Sequence, residues 1–337
     1  MSPSSPSDPA APDGHADPPA GPTRRRVPRA AWTVLALAAV LGGLLAWLAG
    51  NGAETLDAAR ALHPAPLAAA LLATAAGALV AALAWRAALT GTGGDLPLRS
   101  CLRVCLVGQL GKYLPGSLWP AMVQAELAGR RGVPRLLVVT AFTVSLGASL
   151  SAGALVATLV VLGDGWGSGR GTTALLAALA AAFLAVLARP RLISHGLGRL
   201  LARVTGGPAE RVGPGAVRRC LLLSVLGWLV TGLHVWFLAV ALGAKPLPAL
   251  PVTVGGLALA TVVGSLVVIA PGGLGAREAV LVGVLAAVLP LPAAGVVAAA
   301  SRLLTLLGEC LVALAATLAD RPAPRRAGVP TPEGAGP

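Results

Sequence analysis

The chain has 337 residues, of which 56% are hydrophobic and only 12% charged, against roughly 45–50% apolar and about 25% charged in soluble domains. Its apolar residues come in long blocks, which excludes an ordinary soluble domain and describes a polytopic membrane protein. The formal net charge of +13 sits in short loops between apolar runs rather than in a basic stripe interleaved with aromatics. That placement marks membrane topology and contact with anionic lipids, and it argues against nucleic-acid binding.

Residues 1–29 read as a basic cytoplasmic leader. Positions 1–23 are Pro, Ser, Ala, Asp and Gly with no periodic apolar pattern and are expected to be disordered. "RRRVPR" follows at 24–29, then an apolar run from Ala31 to Gly50. A cleaved signal peptide is one reading of this run. Its near-full span length and the long polar leader favour a retained first helix. Trp32 and Trp47 stand about 22 Å apart along such a helix, a separation that suits the two interfaces of one bilayer. Further spans are expected at 66–89, 135–162, 171–188, 218–243, 249–270, 277–290 and 293–319, with 277–290 shorter than the roughly 17–25 residues a crossing needs. The segment 99–129 is apolar but broken by Gly108, Gly111, Pro115, Gly116 and Pro120. The segment 190–216 is polar, and its "RLISHGLGRLLARV" stretch has the character of an amphipathic helix lying on the membrane. Residues 321–337 are Pro-, Arg- and Gly-rich and are expected to be a disordered cytoplasmic tail.

The basic residues set the topology. Four arginines lie in the leader, seven in 189–219, and Arg86, Arg99, Arg103, Lys112, Arg130, Arg131 and Arg135 lie in 86–135. The intervening loops carry Arg60 against Glu54 and Asp57, Arg170 against Asp164, and Lys245 alone. These charges alternate between sides only if 99–129 enters and leaves on the same, cytoplasmic side. The expected fold is therefore an all-α integral membrane bundle of about eight spanning helices, with 30–320 as one transmembrane domain. A re-entrant helical hairpin is expected at 99–129, with both termini in the cytoplasm.

Two stretches break the helical rule: "GQLGKYLPGSLWPAMVQAE" (108–126) and "APGGLGARE" (270–278). Irregular backbone inside a bilayer survives only when it is buried in protein or lines a wet cavity, because an unpaired N–H or C=O in hydrocarbon costs several kcal/mol. Pro115 and Pro271 remove donors and kink the chain. Gly116, Gly272, Gly273 and Gly275 let backbone approach a ligand or a neighbouring helix. One break falls in each half, the pattern of an inverted repeat with a transport site between its halves. A helix starting near Gly275 would aim free N–H groups at the break, with Arg277 adding a bidentate cation and Glu278 suiting the helix dipole. The plainer reading is an interhelical turn anchored by Arg277.

Arg302 and Glu309 fall on nearly one helix face, about 10 Å apart. They read either as a polar seam that contacts substrate or partners Arg277 and Glu278, or as a structural ion pair between helices. Lys112 with Tyr113 suits a lipid phosphate, and Lys112 alone suits snorkelling to the interface. Glu126 precedes Arg130 by four residues, which is ordinary helix support, and also sits where the hairpin returns. His234 reads as an interhelical hydrogen bond in preference to a proton relay. The small-residue pair Gly147 and Ser151 permits close helix packing within the chain or between copies, so a homo-oligomer is compatible with it. Cys101, Cys105, Cys220 and Cys310 lack the spacing of a disulfide framework or zinc site, the histidines show no metal-site spacing, and no cofactor is expected.

The run "GKYLPGSLWPAMVQAELAGRRGVPR" with the later "APGGLGAREA" resembles the flippase-like family related to the transmembrane region of bacterial lysylphosphatidylglycerol synthase. The resemblance covers residues 30–320 and implies movement of a phospholipid or polyprenyl-linked lipid between leaflets of the cytoplasmic membrane. It assigns substrate contact to Pro115, Gly116, Glu126, Pro271, Gly272, Gly273, Gly275 and Glu278, with a basic residue at Arg302. The full synthases add a soluble acyltransferase domain, whereas about 17 residues follow the last span here, so no synthase activity is expected. The first motif departs from the family in reading Gln124-Ala125-Glu126 rather than a Gly before the acid. The functional expectation is lipid translocation without covalent catalysis. Lys112, Arg277 and Arg302 would neutralise phosphate, and Glu126, Glu278 and Glu309 would hold a cationic group or balance those charges. A non-transporting accessory protein of envelope lipid or glycan synthesis is the other reading.

Overall fold

The computed structural model describes residues 62–113, 118–162, 212–266 and 275–320, together with Gly273 and isolated positions at 53, 57, 60, 174, 178 and 181. All regular structure among these residues is helical. In chain order the helices are α1 (Pro64–Gly91), α2 (Leu98–Gln109), α3 (Trp119–Gly129), α4 (Arg135–Ala157), α5 (Leu159–Leu162), α6 (Pro214–Ala241), α7 (Pro246–Leu266), α8 (Ala276–Leu285) and α9 (Leu291–Ala319), with a 3-10 turn over Leu110–Tyr113 between α2 and α3. Prolines set several starts: α1 and α6 open on Pro64 and Pro214, where the missing N–H costs no helical bond.

Five helices, α1, α4, α6, α7 and α9, are long and apolar enough to cross a membrane. The protein is therefore an all-α, multi-pass membrane bundle. The expected leader at 1–29, the span at 31–50, the span at 171–188 apart from positions 174, 178 and 181, most of the amphipathic 190–216 segment and the tail at 321–337 lie outside the described residues. The expected span at 277–290 is corrected: α8 has 10 residues, about 15 Å of helix, half of a roughly 30 Å hydrocarbon layer.

The spanning helices are apolar around their whole circumference, because one face meets lipid and the other meets protein. On α9, Leu303, Leu307, Leu311, Leu314 and Leu318 form an exposed stripe at helical spacing, and α6 shows Leu222, Leu226 and Leu229 in the same way. Small residues let the inward faces close up. A methyl placed on Gly77 of α1 would lie 1.9 Å from Thr231 Oγ1 of α6, and one on Gly308 of α9 would lie 2.4 Å from Thr74 Oγ1 of α1. Gly147, in contrast, faces open space, so its spacing with Ser151 is not used for packing among the described residues.

Two apolar clusters mark opposite ends of the bundle. One gathers Ala82–Leu89 of α1 with Cys101, Val104 and Cys105 of α2, Ala125 and Ala128 of α3, Leu137 and Val138 of α4, and the start of α6. The other gathers Ala70 of α1 with Val235–Ala239 of α6, Ala249 of α7, Leu281 and Leu285 of α8, and Ala293–Ala298 of α9. The first end is basic. Arg99, Arg103, Arg130, Arg131, Arg135, Arg218 and Arg219 belong to the segments there, whereas Lys245 is the described cation in the α6–α7 loop at the other end.

The segment 99–129 returns to the end it leaves. Asp320, just past α9, accepts a hydrogen bond from the Ser100 hydroxyl at the start of α2 (2.8 Å), pairs with Arg131 just past α3, and lies 3.6 Å from Arg103. Both legs of the hairpin thus end on one carboxylate at the basic end. The α7–α8 pair makes the complementary turn. Gly264 of α7 abuts Arg277 and Gly256 abuts Val284, so α8 runs back along α7 toward the far end.

Candidate functional site

The two helix breaks meet inside the bundle. Gly108 lets α2 sit against Gln124 of α3, where a methyl would come within 2.3 Å of Gln124 Cγ. Gly111 brings the 3-10 turn within 3.0 Å of the Trp119–Pro120 backbone on the same measure. This tight closure carries Lys112 and Tyr113 at the hairpin tip. In the second break, Gly273 has φ +68° and its missing Cβ would lie 2.7 Å from the Gly264 carbonyl oxygen, so only glycine fits. Gly275, at φ +85°, is the N-cap of α8. Its N–H donates to Glu278 Oε2 at 2.8 Å. Glycine has no side chain to return that bond, so the cap is half of a capping box. This cap fixes the first turn of α8, on which Arg277 is carried.

Between the tips lies a chamber of about 460 Å³, within the size range of small-ligand sites. Lys112, Tyr113, Gly273, Arg277, Arg302 and Glu309 line its charged side. Arg302 and Glu309 come from the middle of α9, about 17 Å from its start and about 15 Å from its end respectively. The Lys112 ammonium meets Glu309 Oε1 at 2.5 Å, and the Tyr113 hydroxyl donates to Glu309 Oε2 at 3.0 Å. Arg302 Nη1 lies 3.5 Å from Glu278 Oε1. Lys112 and Arg302 also sit 5.3 and 5.7 Å from the Tyr113 ring centroid, within cation–π range. Arg277 differs: among the described residues no carboxylate lies within ion-pair distance of it. The cluster holds three cations and two carboxylates, so it carries one unmatched positive charge.

A further part of the chamber wall is neutral and polar. Ser145 and Ser149 of α4, Thr231 of α6, and Thr261 and Ser265 of α7 line it, beside Trp85 and Trp228. The Trp228 indole N–H donates to the Ser149 carbonyl at 2.8 Å and ties α6 to α4. The Trp85 indole N–H and both amide atoms of Gln124 are buried without a partner among the described residues.

The structure brings Lys112, Gly273, Gly275, Arg277, Glu278, Arg302 and Glu309 together. Arg302 and Glu309 are at once interhelical ion pairs and chamber groups. Pro115, Gly116, Pro271 and Gly272 lie outside the described residues. Glu126 is not in the chamber: its side chain is 48% exposed and pairs with Arg130 at 3.2 Å and Arg135 at 2.9 Å. The i,i+4 spacing of Glu126 with Arg130 produces this surface pairing, so its role as a substrate contact is not supported by its position. Arg130 sets the carboxyl of Glu126 below its usual range, chiefly by hydrogen bonding and then, with Arg135, by charge. His234, fully buried, bonds the Thr231 carbonyl through Nδ1 and Ser301 Oγ through Nε2 (2.8 Å), which joins α6 to α9. The Nδ1–H tautomer satisfies both bonds. The four cysteines are free, three of them buried and Cys310 exposed.

Sequence reasoning did not select the hydroxyl wall. Its signal was present as Ser145 with Ser149 and Thr261 with Ser265, each pair four residues apart and so on one helix face.

No curated protein matches this chain. The family described as Lysylphosphatidylglycerol synthase TM region matches residues 33–313, which takes in both breaks, the chamber and all five spanning helices apart from the last residues of α9. The chain belongs to the lysylphosphatidylglycerol synthase transmembrane-region family.

Proposed function

We propose that this protein moves a phosphate-bearing lipid, a phospholipid or a polyprenyl-linked lipid, between the leaflets of the cytoplasmic membrane without covalent chemistry. The observation that carries this reading is Arg277, which lines the chamber where the two helix breaks meet and has no carboxylate within ion-pair distance among the described residues. A cation in the middle of a membrane bundle is costly unless something compensates it, and a phosphate oxygen supplies that compensation in bidentate form. The headgroup enters the chamber while the acyl chains stay in lipid alongside the apolar stripes of α6 and α9. The concentration of arginines at one end supports placing that end, and both termini, in the cytoplasm. It also supports contact with anionic lipids there.

The test is headgroup-labelled lipid in proteoliposomes. The wild-type chain is expected to equilibrate the label across the bilayer, and Arg277→Gln to stop it while insertion is retained. Unchanged movement in Arg277→Gln would remove the site. No movement by the wild-type chain, with a protein partner captured stoichiometrically instead, would replace transport by an accessory role.

A further inference from the structure

Resting on that reading, we infer that the chamber selects a lipid whose phosphodiester carries a single negative charge and whose headgroup is otherwise uncharged and hydroxyl-bearing, in preference to a cationic aminoacylated headgroup. The first ground is where the carboxylates are. A cationic headgroup needs a free carboxylate, and the cluster has two. Glu309 is engaged by both Lys112 and Tyr113, and Glu278 by both Arg302 and the Gly275 N–H. Glu309 is the one Asp or Glu among the described residues that lines the chamber, and Glu278 stands beside it on Arg302. An arriving ammonium group would therefore meet Arg277, Arg302 and Lys112 with every neighbouring carboxylate already taken. A single phosphodiester anion balances the one unmatched positive charge and leaves both existing pairs intact.

The second ground is the neutral wall beside Arg277. Gly264 abuts Arg277, and Thr261 and Ser265 lie within one turn of Gly264 on the same helix. Thr261 donates its hydroxyl proton to the Leu257 carbonyl (2.8 Å), and Ser265 donates to the Thr261 carbonyl (2.7 Å). Ser145 of α4, which also lines the chamber, donates to the Phe142 carbonyl (2.9 Å). With these protons committed to their own helices, the three oxygens present lone pairs to the chamber. Such acceptors take O–H donors from a glycerol or sugar hydroxyl, next to a cation that takes the phosphate.

The experiment uses the full chain in phosphatidylcholine vesicles. Each carries trace label on one of three lipids: phosphatidylglycerol, its lysyl ester, or phosphatidylethanolamine. Phosphatidylglycerol is expected to cross at least tenfold faster than the lysyl ester. Arg277→Gln should bring phosphatidylglycerol down to the rate of the lysyl ester or below, and Arg277→Lys should keep phosphatidylglycerol ahead, the second variant guarding against a folding defect. Thr261→Val combined with Ser265→Ala should slow phosphatidylglycerol several-fold and so narrow its lead over the lysyl ester and over phosphatidylethanolamine. A lysyl ester that crosses as fast as phosphatidylglycerol, or faster, overturns the selectivity and leaves lipid movement standing. Movement of none of the three overturns both. Arg277-dependent binding of soluble glycerophosphoglycerol without lipid movement assigns the chemistry to a free phosphodiester and overturns the lipid.

Discussion

The two helix breaks reach one chamber from opposite ends of the bundle and are built differently. The first, at the tip of the α2–α3 hairpin, is closed: Lys112 and Tyr113 both spend their donors on Glu309, and the hairpin base is fastened to Asp320. The second, between α7 and α8, is held by backbone. Gly273 rests on Gly264, Gly275 is capped by Glu278, and Arg277 has no carboxylate at ion-pair distance among the described residues. A break whose charges are internally matched fixes the position of helices. A break that carries an unmatched charge has a reason to meet something else. Function should therefore be most sensitive at the second break, and stability should be shared between the two.

Five single substitutions and one charge-reversed pair test that division. Arg277→Gln should reduce lipid movement tenfold or more, about 1.4 kcal/mol or above, with the midpoint of thermal unfolding in detergent almost unchanged. A large drop in that midpoint would make Arg277 a structural residue and erase the contrast. Gly273→Ala should destabilise by about 2–3 kcal/mol, because it combines a left-handed φ with a backbone clash. The matching Gly108→Ala should cost less, about 1–2 kcal/mol, because its φ is helical and its obstacle is the side chain of Gln124 and not backbone. Equal losses in denaturation would say that both breaks are held in the same way.

Glu309→Gln leaves Lys112 without its carboxylate. Breaking a fully buried pair costs about 3–5 kcal/mol. With Lys112 36% exposed, about 1–2 kcal/mol is expected. The charge-reversed pair Lys112→Glu with Glu309→Lys should recover part of this loss, and no recovery would deny the pairing its role.

The smallest effect belongs to Glu126→Gln, which should leave lipid movement intact. The carboxyl of Glu126 sits below its usual range beside Arg130 and Arg135. Its contribution is present above the ordinary carboxylate range and is lost as pH falls through its lowered value. The variant should therefore flatten the acid limb of a stability–pH curve at low salt, with the difference shrinking in high salt.

Composition and charge order alone fixed the class of this protein and its most unusual element. Apolar blocks of span length name a membrane bundle because a bilayer accepts little else. The alternation of arginines required 99–129 to turn back, and its two legs do end on Asp320. Pro-Gly breaks beside ionisable residues pointed to Lys112, Gly273, Gly275, Arg277, Glu278, Arg302 and Glu309 for the same reason: neither broken backbone nor charge is tolerated facing lipid. Which charges pair was decided only in three dimensions. Glu309 lies 197 residues from Lys112, and no local spacing encodes that meeting. Glu126 shows the converse. Its sequence neighbourhood in the first motif matched the site, yet its helix turns it toward Arg130 and Arg135 on the outside. The 277–290 run likewise looked like a short crossing, and packing against α7 made it a return leg. Sequence periodicity reports what a segment tolerates around it; which neighbour it meets depends on how distant helices pack, and that placement left Arg277 as the unmatched charge.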